Sequence, residues 1–531
     1  MNTSDDIKND FSKGSVRKHI VRLAVPMTVA MLVQMLYNLV DRIYIGHLPE
    51  DSANAFTGLG LTFPIVTLVL AFTNLFGTGG APLCSIDRGR HETAHAEKIM
   101  GNTFTALLCC SLLVMALCYP LMKPILYLFG ASDATYPYAA EYLNIYLIGT
   151  PLVMLATGMN GFINVQGYTK YGMITVAAGA VVNIALDPLF IFTFGLGVKG
   201  AAIATVLSQA VSAAWVLLFL CGKKTTLRLR KQYFKPEARI LKSIIALGTT
   251  GFVMNASNGA VQIACNATLK SVGGVMLGDM YIGIMTALNS LRDVVSLPIQ
   301  GLTNASQPVI GYNLGAGQYK RIWNAMAFTA VIGIVYMALV WLILFLFPRP
   351  LLSIFVEDQE LLDLGVPAMH LYFFGFFFMA FQFTGQSTFV GLGKAKQAVF
   401  FSLFRKIIIV VPLTLLLPRI GTLGVNGVFI AEPISNLIGG LASFLTMIFT
   451  LRKMLKSAPE ATPAPPATET AETAPASAAE PEATPAPPAT ETAKTAPASA
   501  AEPEATPAPP ATNETAEAKA ELPPALPPTE E

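Results

Sequence analysis

Asp41 and Asp187 each interrupt a long apolar stretch of the chain. A charge at the centre of a bilayer costs about 2.5–3.5 kcal/mol on insertion scales, so an acid placed there faces a cavity or a partner and marks function. Gln34, Tyr37, Asn38 and Asp41 recur at three- and four-residue spacing and share one helical face, as do Asn183 and Asp187, and Ala201 and Thr205. Brought together, these faces would offer two carboxylates with amide and hydroxyl oxygens. Hard oxygen ligands of this kind suit an alkali cation, and two carboxylates side by side suit a shared proton, for which the cation would compete. The competing reading makes the two acids helix caps near the membrane surface, beside Arg42 and Pro188.

Other polar residues within apolar stretches are Asn160, Arg292, Asp293, His370 and Glu432. Gln34, Asn38, Asn160, Arg292 and Glu432 are the candidates for lining a substrate cavity, with Arg292, Asp293 and Glu432 also able to pair among themselves. His370, among Phe373, Phe374 and Phe376, reads as a packing residue. Pro26 permits a bend, because it removes one backbone donor. His91, Glu92 and His95 spell HExxH, the pattern that puts two zinc-binding imidazoles on one helix face. The motif lies in a basic loop with Arg88, Arg90 and Lys98 and has no evident third ligand, so no metal site and no enzyme is expected.

The elements that must position these residues are membrane helices. The chain is 53% hydrophobic and only 13% charged, against about 25% charged in soluble domains, and its mean hydropathy is +0.55. Twelve apolar stretches reach the roughly 20 residues needed to cross a bilayer: 20–43, 56–84, 100–122, 138–159, 171–194, 199–221, 242–268, 277–299, 322–347, 366–389, 399–417 and 424–450. The first is too long for a signal peptide and lacks a small-residue cleavage site. The six cysteines form no CxxC pair and read as small core residues. Lys and Arg in alternate loops number 26 on the side of the termini and five on the other, which puts both termini in the cytoplasm.

The basic loop Cys221 to Lys242 divides the helices into two sets of six, and the halves repeat. A shift of 226 residues superposes Pro82 and Gly89 on Pro308 and Gly315; a shift of 227 superposes Gly197, Gly200 and Ala204 on Gly424, Gly427 and Ala431. The organisation expected is a cytoplasmic segment 1–13, a six-helix lobe with its basic loop over 14–237, a second six-helix lobe over 238–455, and a tail over 456–531. The fold class is thus an all-α membrane protein of twelve transmembrane helices in two pseudo-symmetric six-helix bundles. The tail repeats an Ala/Pro/Thr/Glu-rich unit with too little apolar surface to fold, so it is expected to be disordered. Asp41 falls on Asn266 at an offset of 225 and Asp187 on Thr414 at 227, so ion coupling is expected in the first lobe alone.

The segments GTGGAPLCSIDRGRHETAHAEKIMGNTF, NIALDPLFIFTFGLGVKGAAIAT and LNSLRDVVSLPIQGLTNASQPVIGYNLGAG resemble those of the multidrug and toxic compound extrusion (MATE) family. The resemblance runs from about Gly14 to Leu455. It implies two lobes in a V shape, alternating access, and export of organic cations in exchange for protons or sodium ions, with no other cofactor. In the DinF-like branch the coupling site matches Asp41, Asn183 and Asp187 here, with Pro26, Tyr37 and Thr205 as further matches. A sodium ion, if used, would be held by Asp41, Asn183, Asp187 and Thr205. The protein is expected to be a monomer in the plasma membrane, with small cations and lipid as partners and no nucleic acid. The alternatives are a flippase of lipid-linked precursors on the same fold and, more remotely, a membrane metalloprotease using His91, Glu92 and His95.

Overall fold

The computed structural model describes residues 9–48, 52–355 and 358–457, and no strand occurs among them. The tail, apart from its first two residues, lies outside the described residues. The first six spans are α1 (Val16–Gly46), α2 (Ser52–Gly89), α3 (Thr93–Leu128), α4 (Tyr136–Val165), α5 (Thr169–Pro188) and α6 (Gly197–Cys221). A single helical run, Ala238–Gly315, breaks at Gly274 into α7 and α8. The last four are α9 (Tyr319–Leu346), α10 (Gln359–Tyr372 and Phe376–Gly391, bent by 45° at the break), α11 (Ala395–Arg419) and α12 (Asn426–Lys456).

Ten of these helices are each long and apolar enough to cross a membrane, and the bent pair makes eleven. The remaining helix, α8, is more polar, carrying Asn289, Ser290, Arg292, Asp293, Gln300 and Asn304, and lies against α1 and α2 of the first lobe and α10 of the second. A helix suits all twelve because the bilayer core offers no water to satisfy backbone groups.

The sequence count of basic residues needs one correction. Arg405 and Lys406 are not in a loop; they lie within α11 and are 7% and 5% exposed. After a short turn α11 begins at Ala395, earlier than the apolar run suggests, and both charges meet a carboxylate inside the lobe. The count becomes 24 against five.

The repeat is visible in the packing. A side chain at Gly200 would strike the backbone of Phe190 and Ile191, and one at Gly427 that of Leu417 and Pro418, the same positions 227 residues on. Between the lobes, a Cβ at Gly89 would lie 1.9 Å from the Tyr312 carbonyl oxygen and one at Gly315 1.9 Å from that of Ile86. These two contacts exchange under the 226-residue shift, so α2 and α8 cross at the pseudo-twofold axis, and only glycine permits so close an approach. Ser85 Oγ donates to the Pro308 carbonyl at 2.7 Å beside this crossing.

Each lobe also borrows the start of a helix from the other. Val16, Ile20, Leu23 and Ala24 of α1 are buried in a second-lobe cluster, against α8 and α9, whereas Ile45 at the far end of α1 belongs to the first-lobe core. Ile240 and Ile244 at the start of α7 are buried in that same first-lobe core. Pro26 sits where α1 passes from one lobe to the other, and the helix runs on through it.

Candidate functional site

The polar faces singled out from sequence meet in the first lobe. α1 packs along α5, and Asp187 and Asn183 are buried at 0% and 1% exposure, with Thr205 of α6 at 9%. Asn183 Nδ2 donates to Asp187 Oδ1 at 3.1 Å. Asn183 Oδ1 and Asp187 Oδ2 are buried with no hydrogen-bond partner among the described residues. Asp41 is close enough to act electrostatically on Asp187, Tyr37 and Tyr142. Asp187 is thus buried inside the lobe and is not solvated as an exposed helix cap would be. Two buried acceptor oxygens left without donors fit a proton or a small cation, since leaving them bare would forfeit about 1–3 kcal/mol each.

Tyr142 of α4 lies within electrostatic reach of Asp41 and Tyr37, and sequence reasoning missed it. It is buried at 6% exposure and stacks on Tyr146 at 5.9 Å. The signal available was the four-residue spacing of the two tyrosines on α4, which marks one face without saying what that face meets.

A separate cavity of about 780 Å³ is walled by α1, α2, α4 and α5 from one lobe and α8 from the other. Gln34, Asn38 and Asn160 line it; so do Met27, Met31, Met35 and Met173. No charged side chain lines it among the described residues. Gln34 links the two places, donating from Nε2 to the Tyr37 hydroxyl at 2.6 Å. α1 thus carries both sets of side chains on one polar face: Gln34 and Asn38 line the cavity, while Tyr37 and Asp41 lie outside its lining.

Arg292 and Glu432 line a different, enclosed cavity of about 20 Å³ inside the second lobe. Arg292 bonds Asp293 at 3.0 Å and the Tyr372 hydroxyl at 2.8 Å. Glu432 does not pair with it. Its Oε1 instead accepts from Arg405 at 3.0 Å and Lys406 at 3.1 Å, while Arg405 also donates to Asn436 at 2.7 Å. At the 227-residue offset Glu432 is the counterpart of Thr205, and Thr414, which lines the same cavity, that of Asp187. The second lobe keeps a polar pocket at the equivalent place, with excess positive charge.

His370 packs on Phe345 with ring centroids 4.8 Å apart, and its Nε2 lies 3.2 Å from the Phe345 carbonyl oxygen. The HExxH residues do not form a zincin helix: His91 has φ +61 and, with Glu92, lies between α2 and α3. His95 Nδ1 bonds Asp87 Oδ2 at 2.6 Å. Asp87, Glu92 and His95 do bring three ligand atoms within 4.8 Å of one another, but Arg90 already pairs with Asp87 at 3.2 Å, and a cation there repels a metal. Purified protein is expected to contain no stoichiometric zinc by elemental analysis, and His91→Ala with His95→Ala to transport normally per inserted molecule. Bound zinc together with peptidase activity lost in that variant would restore the hydrolase reading.

The MatE family model matches residues 26–189 and 253–416. The two matches have equal length and begin 227 residues apart, the spacing of the repeat. The multidrug export protein MepA of Staphylococcus saprophyticus is 25% identical over 447 residues, covering 84% of this chain and 96% of that protein; MepA of Staphylococcus aureus is 24% identical over 451 residues, with the same coverage. Among solved structures, MATE in the bent conformation superposes with a TM-score of 0.79 at 23% identity, covering 85% of this chain and 99% of the other. A transporter of the MOP superfamily from Pyrococcus furiosus gives 0.78 at 24%, with the same coverage.

Proposed function

We propose that this chain, which belongs to the MatE family, exports organic cations from the cell in exchange for protons or sodium ions. The observation that carries the reading is the shared helix: α1 carries Asp41 within electrostatic reach of Asp187 and, through Gln34 and Asn38, walls the inter-lobe cavity. A proton or sodium ion at the acids changes how α1 packs on α5, and α1 also grips the second lobe through residues 16–24. Ion and substrate then bias one two-state element, the physical requirement for coupling.

The cavity supports cations as cargo. Methionine thioethers and amide oxygens give a polarisable, adaptable wall that accepts varied shapes, and the MepA relatives are named multidrug exporters. A flippase of lipid-linked precursors would need cationic side chains at the phosphates. The basic residues buried in the second lobe are turned into its interior around Glu432 and are absent from the described cavity lining, which favours cation export. The absence of a carboxylate between Lys242 and Lys270 fits the DinF-like branch, with coupling in the first lobe. The protein is read as a monomer in the plasma membrane, with both termini cytoplasmic.

The test is uptake of a fluorescent cation into everted vesicles, driven by a pH gradient and, separately, by a sodium gradient. At least one gradient is expected to raise uptake several-fold over vesicles lacking the protein. No gradient-driven movement of any cation tried would overturn the reading.

A further inference from the structure

The face that carries the termini holds a segment that no transport step described above uses. Residues 9–14 precede α1 and fill a cleft where α2 meets α8 and α9. Phe11 is fully buried and Asn9 is 5% exposed, although neither belongs to a span. Two arginines, one from each lobe, hold the segment by its backbone. From the first lobe, Arg88 of α2 donates to the Asn9 carbonyl at 2.6 Å and to Val165 at 3.0 Å. From the second, Arg321 of α9 donates to the carbonyls of Phe11, Lys13 and Gly14 at 2.7, 3.0 and 2.8 Å. Between them, the Arg88 guanidinium lies 5.3 Å from the Phe11 ring and 5.1 Å from the Tyr312 ring. The Tyr312 hydroxyl donates to Asp10 Oδ1 at 3.0 Å.

We propose that residues 9–14 are a strap that locks the lobes together on the cytoplasmic face and must leave its cleft before the cavity opens to that side. Tyr312 and Gly315 also make the α2–α8 crossing, so the strap sits on the seal itself. Separating the lobes there carries Arg88 away from Tyr312 and Arg321. A six-residue segment bonded to both arginines cannot follow both, so one set of charge-assisted bonds breaks. Backbone carbonyls are the acceptors, which makes the grip independent of most side chains in the strap and leaves Phe11 as its anchor. The strap thereby sets how often the cytoplasmic gate opens.

This proposal rests on the alternating-access reading for its effect on flux, but the gate can be measured without substrate. Ser85→Cys, in a background with the six native cysteines replaced, puts a thiol on the buried seal. Maleimide labelling from the cytoplasmic face of everted vesicles is expected to be slow in that protein. It should become at least five-fold faster when residues 2–13 are deleted, and also with Phe11→Ala or Arg321→Ala. Labelling unchanged in all three, at matched abundance and melting temperature, would overturn the strap. Should the deletion fail to insert, the two point variants decide the matter. Faster labelling with no cation transport in any protein would keep the strap and remove the transport reading.

Discussion

Glu432→Gln is expected to lower the melting temperature sharply and reduce the amount of protein in the membrane. Glu432 is the counter-ion of Arg405 and Lys406, all three with side chains 6–8% exposed. The wild-type trio carries one excess positive charge; the glutamine variant carries two, with no carboxylate between them. Breaking a buried ion pair from one side costs about 3–5 kcal/mol, because the remaining charge keeps its desolvation penalty without the attraction. Adding Lys406→Met returns the excess to one and leaves Arg405 on Asn436, so the double variant is expected to regain much of the loss. Both are to be measured by thermal unfolding in detergent, with efflux normalised to inserted protein. A glutamine variant that melts with the wild type yet fails to transport would move Glu432 from structure to coupling.

The opposite pattern is expected at the acid pair. Asp41→Asn and Asp187→Asn keep shape and most hydrogen bonding while removing a charge that binds a proton or a cation. Each should insert at normal abundance, retain substrate binding, and lose at least ten-fold in gradient-driven efflux. Asn183 already donates to Asp187, so an Asp187→Asn amide finds a neighbour with a free carbonyl oxygen, and the fold tolerates the change. Efflux and equilibrium binding of one fluorescent cation across pH 6 to 8 separate the two effects. Wild-type efflux in both variants would remove the coupling role; loss of binding in step with efflux would make the acids substrate ligands instead.

Both predictions depend on what a lobe holds in its interior, and the sequence spoke unevenly about that. The succession of apolar helices, the two halves and their register follow from local properties of the chain: length of apolar runs, a 226- to 227-residue recurrence of Pro and Gly, and helical spacing of polar residues. Asp41, Asn183 and Asp187 were legible because each lies on a polar face within an apolar run, and an acid there needs a reason. Arg405 and Lys406 lie inside the apolar stretch 399–417 yet were counted with the bases of the loop before it, because nothing along the chain names a buried partner for them. Only packing shows that Glu432, one helix away, waits for them. Tyr142 was missed for the converse reason, since tyrosine in an apolar helix is unremarkable until its neighbours are known.

The sequence by itself therefore determined the class, the succession of apolar helices, the duplication and the family likeness, because these are written in periodicity and composition along one dimension. Tertiary structure alone decided the rest: that α1 leaves its own lobe to grip the other, that the inter-lobe cavity is walled by methionine and amide while charges turn inward, and that residues 9–14 bridge the lobes. The physical reason is that hydrogen bonds and ion pairs between residues hundreds of positions apart, such as Arg321 with Phe11, leave no periodic trace in the chain. They exist only where folding has brought a donor to an acceptor.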